Sequence, residues 1–163
     1  MNRIWRSIAT VFVMYAVLLM TACPTASLQK VSDSSAKIAT YANAGINLTR
    51  SFYETGVIPL DKKDVIAAKF VHLAKAGIAI DAAVANAKQV YGSNAPTSEV
   101  QKLFATFDAE VVTQFLDLLQ SLKLIASSEK YAAIIEGIRA AVMVIAGVFG
   151  QSKSVGIRLA AGL

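Results

Sequence analysis

The sequence predicts an all-α protein, an antiparallel four-helix bundle behind a separate apolar N-terminal helix. Three observations predict it. Hydrophobic residues recur at spacings of three and four over most of the chain, which is the period of an amphipathic helix and not the alternation of a strand. Only three prolines and nine glycines interrupt 163 residues, and Gly56, Pro59, Gly92 and Pro96 fall between the periodic stretches. The apolar share of 55% against 17% charged excludes wholesale disorder and leaves ample material for one core. A length of this order suits one folded domain.

The first twenty-two residues stand apart from that pattern. Arg3 and Arg6 precede an uncharged, nearly all-apolar run at 8–20. A transmembrane helix needs about 20 apolar residues to cross the hydrocarbon layer, whereas a basic start followed by a shorter apolar run fits a secretion signal. Residues 1–22 are therefore expected to be a signal helix that is removed. Removing Arg3 and Arg6 lowers the formal net charge of +5, and the remaining basic groups are scattered among acidic ones, with Lys62-Lys63 the only adjacent pair. That dispersion argues against a nucleic-acid partner, which asks for Lys and Arg gathered on one face.

The signal closes on Leu19-Met20-Thr21-Ala22-Cys23, which resembles the lipobox of bacterial lipoproteins: an aliphatic residue, two small residues and a cysteine. Met20 departs from the Leu usual three places before the cysteine. The resemblance covers the export segment alone. It implies that Cys23 is acylated with diacylglycerol, that a peptidase cuts before it, and that the protein is exported and held to the membrane of the cell envelope. Pro24 stands where an Asp would imply inner-membrane retention, so in a Gram-negative cell the resemblance implies the periplasmic side of the outer membrane. The other assignments of this segment are a cut elsewhere, with Cys23 an ordinary small apolar residue, and an uncleaved anchor. As the only cysteine, Cys23 has no partner for an internal disulfide.

Residues 23–27 read as a lipidated tether and 28–150 as the bundle domain. The first helix, near 28–55, carries Val31, Ile38, Tyr41, Leu48 and Phe52 on one stripe with Ser34 and Gly45 as its small members; Gly56 and Pro59 stop it. Asp61 is expected to cap the second helix, with Asp64 also near its positive end. Its stripe of Ile66, Phe70, Leu73, Gly77, Ile80, Val84, Ala87 and Tyr91 is the most regular in the chain, and Gly92 ends it. Pro96 and a Ser98…Gln101 capping box announce the third, whose inward side is Val100, Phe104, Phe107, Val111, Phe115, Leu118, Leu122 and Ile125, widened by Leu103, Val112, Leu116 and Leu119. Ser127 or Ser128 is expected to cap the fourth, from about 129 to 150. The tail, 151–163, shows little periodicity and is expected to be flexible. Four amphipathic helices with short loops have one economical packing, antiparallel with the stripes inward.

No constellation for catalysis, cofactor or metal binding rises from the sequence, so a non-enzymatic role is expected. His72, the only histidine, has no ligand partners at metal spacing and reads as a surface residue. Asp108, Glu110 and Asp117 read as the polar face of the third helix and not as an acid–base pair. Asn47-Leu48-Thr49 matches a glycosylation triplet inside a helix. Gly45 and Gly77 lie on inward stripes, where glycine is costly in a helix; close helix approach explains them, and an apolar groove is the competing reading. Residues 131–150 carry only Glu136 and Arg139 as charges, with Ala133, Gly137 and Ala141 four apart as in contacting membrane helices. The expected function is a helical binding or structural module of the envelope, whose partners are membrane lipid through Cys23 and an envelope protein or cell-wall component. The alternative is a membrane-active, pore-forming or inhibitory protein that inserts this last helix.

Overall fold

The computed structural model describes residues 25–92, 95–124 and 128–162, and the expected signal helix at 1–22, Cys23 and Pro24 lie outside them. The described residues are all-helical, with no strand among them. Helix α1 spans Thr25–Glu54 and α2 spans Leu60–Tyr91. Next, α3 (Thr97–Phe107), a π-helical turn (Asp108–Val112) and α4 (Thr113–Leu122) run on as one rod. A 3-10 turn, Ser128–Tyr131, leads into α5 (Ala132–Val148), and α6 covers Ser152–Gly162. At 1.5 Å per residue the 30 residues of α1 extend about 45 Å.

The pairing of helices follows from their contacts. Along α1 and α2, Gln29 meets Lys88, Ser32 meets Asp81, and Gly45 meets Phe70, so one number falls as the other rises and the helices are antiparallel. Contacts of Tyr41 with Gly137 and of Thr49 with Tyr131 run α5 antiparallel to α1 in the same way. On its other side α2 lies along the α3–α4 rod, where Lys69 reaches Asp117. One continuous hydrophobic core joins all of these elements.

Most of the expected stripes turn inward. Ile66, Phe70, Leu73, Gly77, Ile80, Val84 and Ala87 are buried along α2, while Tyr91 is partly exposed. Along α1, Val31, Ile38 and Phe52 are buried, but Tyr41 sits at the rim and Leu28, Ala42 and Thr49 take inward places instead. The third rod buries Phe107, Val111, Phe115, Leu118 and Leu122 as expected. Its π turn is an addition: the Thr113 N–H reaches back to the Asp108 carbonyl, one residue further than in an α-helix. The extra residue lets the neighbours Val111 and Val112 both be fully buried.

Several local expectations are corrected. Asp61 does not cap α2; Pro59 occupies the cap position without a side-chain hydrogen bond, and Asp61 lies in the first turn. Proline has no N–H and a fixed φ, so it starts a helix without a side-chain acceptor. The Ser98…Gln101 box does not form either, because α3 begins one residue after Pro96 and places Ser98 inside the first turn. Of the proposed tether, residues 25–27 belong to α1. The tail is a helix: Val155 and Leu159, four apart, are fully buried, and Arg158 pairs with Asp108 at 2.5 Å. Gly150, at φ +69, turns the chain back so that α6 lies antiparallel along α5. A left-handed φ of that kind strains any residue with a Cβ.

Candidate functional site

The residue on which the localisation expectation depends, Cys23, lies outside the described residues. The first described residue is Thr25, and by Leu28 the chain is already fully buried. The end of the molecule nearest Cys23 is therefore built from the first turns of α1, the last turns of α2 with Lys88, Val90 and Tyr91, and the α5–α6 turn at Phe149–Gln151.

The carboxylates singled out on the third rod are engaged separately. Asp108 binds Arg158 across to α6, Asp117 binds Lys69 on α2 at 3.1 Å, and Glu110 is exposed. Each pair bridges two helices at the surface, where such bonds contribute at most about 1 kcal/mol. His72 is exposed on α2. Among the described residues no three His, Cys, Asp or Glu side chains gather as a metal site would require.

The principal buried polar cluster is one that periodicity does not show. Tyr131, fully buried, meets the Thr49 hydroxyl at 3.0 Å, and Thr49 gives its own proton to the Gly45 carbonyl at 2.7 Å. Tyr131 must therefore be the donor to Thr49. Its ring stacks on Phe70 and meets Phe52 edge-on, with centroids 5.8 and 5.5 Å away. Burial raises the Tyr131 phenol above its ordinary pKa. A protonated phenol locked in a satisfied chain between α1 and α5 ties helices together. Among the described residues the Thr49 hydroxyl is its hydrogen-bond partner.

Gly77 and Gly45 serve close approach. A Cβ on Gly77 would stand 2.8 Å from the Ser35 carbonyl oxygen, and one on Gly45 would overlap the Phe70 ring. Gly137 accommodates the Tyr41 ring in the same manner, 2.5 Å from where its Cβ would be. Beside that contact, α1 and α5 bound a shallow groove of about 390 Å³ lined by Ser34, Lys37, Thr40, Tyr41, Ala140 and Val144.

The 3-10 turn and α5 together, Glu129–Val148, form 20 residues long and apolar enough to cross a membrane, with mean hydropathy 1.7. Their inner face is core: Ile138, Ala141, Val142, Ile145 and Ala146 are buried. The outer face carries Glu136 and Arg139, which approach to 3.8 Å. In comparisons with known protein families, characterised proteins and solved structures, the chain matches none significantly.

Proposed function

We propose that the chain is an exported bacterial lipoprotein: a non-enzymatic helical module anchored to the cell envelope through acylated Cys23. In this reading the rods form an antiparallel four-helix bundle that α6 extends, and the bundle is presented to an envelope protein or a cell-wall component. The observation that carries the reading is the succession of Arg3 and Arg6, the apolar run at 8–20 and Leu19-Met20-Thr21-Ala22-Cys23. The immediate start of α1 after Pro24 is compatible with it, since the anchor leaves the folded body free to be presented. Acylation supplies the holding force: each buried methylene contributes about 0.8 kcal/mol, so one chain binds reversibly and two or more bind durably.

Mass spectrometry of the protein from its native host tests this. The expected N-terminal peptide begins at Cys23 and carries the mass of its acyl chains; an unmodified peptide spanning Met20 to Pro24 refutes the anchor.

A second reading, a membrane-active protein that inserts its last long helix, is favoured by one observation, the apolar stretch Glu129–Val148, of which 33% of the most hydropathic window is buried. Against it, Glu136 and Arg139 would each meet the bilayer interior at about 2.5–3.5 kcal/mol. The chain lacking its first 23 residues separates the two: a soluble helical product that ignores liposomes favours the tethered module, and partition into them without lipid on Cys23 favours insertion.

A further inference from the structure

We propose that the end of the molecule nearest Cys23 rests on an anionic lipid surface, with Val90 and Tyr91 at the boundary and Lys30, Lys88 and Lys153 over the headgroups. The proposal rests on the lipid-anchor reading and adds an orientation to it.

Covalent reach comes first. Only Pro24 separates Cys23 from Thr25, the first residue of α1, and two residues of chain span at most about 7 Å. An acylated Cys23 at the membrane therefore holds the start of α1 beside the headgroups. The antiparallel pairing decides what else arrives there. Lys88 donates to the Gln29 side chain at 2.6 Å, so Val90 and Tyr91 lie beyond Gln29 toward the same end. Gly147 faces Ser152, which sets Lys153 beside the last turn of α5, again at this end.

The chemistry of that end suits the surface. Val90 is 62% and Tyr91 38% exposed, an aliphatic group and an amphipathic ring of the kind that settles at membrane interfaces. Lys30, Lys88 and Lys153 form no salt bridge among the described residues. Glu99 pairs with Lys102 at 2.6 Å, and Asp33 keeps its charge while accepting from the Gln29 amide that also receives Lys88, so Lys30, Lys88, Lys102 and Lys153 stand against two acids. At the opposite end, Arg50, Lys62, Lys63, Lys123 and Lys130 are interspersed with Glu54, Asp61, Asp64 and Glu129, and Lys63 pairs with Asp64. Opposite charges within a Debye length of one another largely cancel, so the end with the larger excess of basic groups attracts anionic headgroups more strongly.

The full chain, matured and lipidated in cells, is reconstituted into vesicles of phosphatidylglycerol and phosphatidylcholine or of phosphatidylcholine alone. Trp5 is the only tryptophan and lies upstream of the cut, so Val90→Trp and, at the far end, Val57→Trp each report a single site. The expected result is blue-shifted Val90→Trp emission quenched by lipids brominated about 5–10 Å below the headgroups, stronger in anionic vesicles, with Val57→Trp unquenched. Neutralising any one of the three lysines to Gln should lower the ratio of quenched to unquenched probe in anionic vesicles by up to about fivefold. Equal quenching at both sites, or none at Val90→Trp, overturns the orientation. The mass of the Cys23 peptide, read on the same sample, separates the failures: an acylated Cys23 with an unquenched probe sinks only the orientation, and a bare Cys23 sinks the anchor with it.

Discussion

The seam between α1 and α2 and the corner where the third rod meets α5 and α6 bury hydrophobic surface in opposite ways. At the seam, glycine and small residues bring backbones together: Gly77 faces the Ser35 carbonyl and Ala39, and the Phe70 ring lies over Gly45. At the corner, bulk fills the space, with Phe104, Phe107 and Phe149 packed at centroid distances of 5.5 to 6.3 Å. The same helical stripe thus serves two kinds of contact. A close seam is intolerant of added atoms, because backbone cannot swing aside. A bulky corner is intolerant of removed atoms, because nothing nearby refills the void.

That contrast is sharpest when each region receives the change it should resist. Phe107→Ala at the corner should destabilise by about 3–5 kcal/mol, through lost transfer energy and a residual cavity. Urea denaturation should show a lower midpoint, and a loss under about 1 kcal/mol would mean the corner collapses freely. Gly77→Ala, normally favourable in a helix, should instead destabilise by about 1–3 kcal/mol, since the new Cβ meets a backbone oxygen. A stabilised Gly77→Ala protein would break the comparison outright.

Tyr131 packs on Phe52 and Phe70 at the α1–α2 seam, and its phenol gives a pH test. The folded-state pKa is raised by burial, so the unfolded chain ionises first as pH rises, and stability present below the ordinary tyrosine range should fall as pH climbs through and above it. Tyr131→Phe should cost about 0.5–1.5 kcal/mol near neutral pH, leaving Thr49 still bonded to Gly45, and should flatten that alkaline decline. Thermal melts of both proteins from pH 8 to about 11 measure the difference, bracketing the tyrosine range. The smallest effect belongs to the surface of the corner. Arg158→Ala removes the bond to Asp108 and should lower stability by no more than about 1 kcal/mol, with α6 still held by Val155 and Leu159; amide exchange confined to α6 would report any loosening.

Much of the fold was legible because helix formation is local. The α2 stripe names its buried residues from spacing alone, and Gly56, Gly92 and Pro96 mark true breaks. Helix starts were misread where a side-chain cap was assumed, since Pro59 and Pro96 need none. The tail was misread because an eleven-residue helix with only Val155 and Leu159 on its buried face offers too few turns for a period to emerge. The candidate site divides likewise: the segment ending at Cys23 is read from consecutive residues, while which side chains share an end with the start of α1 requires knowing that α1 and α2 are antiparallel.

By itself, then, the sequence determined that the chain is helical and, for most of its stripes, which faces turn inward. Only the tertiary structure decided that Thr49 meets Tyr131, 82 positions away, that Gly77 admits the backbone of α1, and that a π turn brings Val111 and Val112 inward together. The physical reason is range. A period of 3.6 residues is written into neighbours along the chain, but which surfaces meet, and how closely, is settled by packing between segments whose sequences carry no mark of one another.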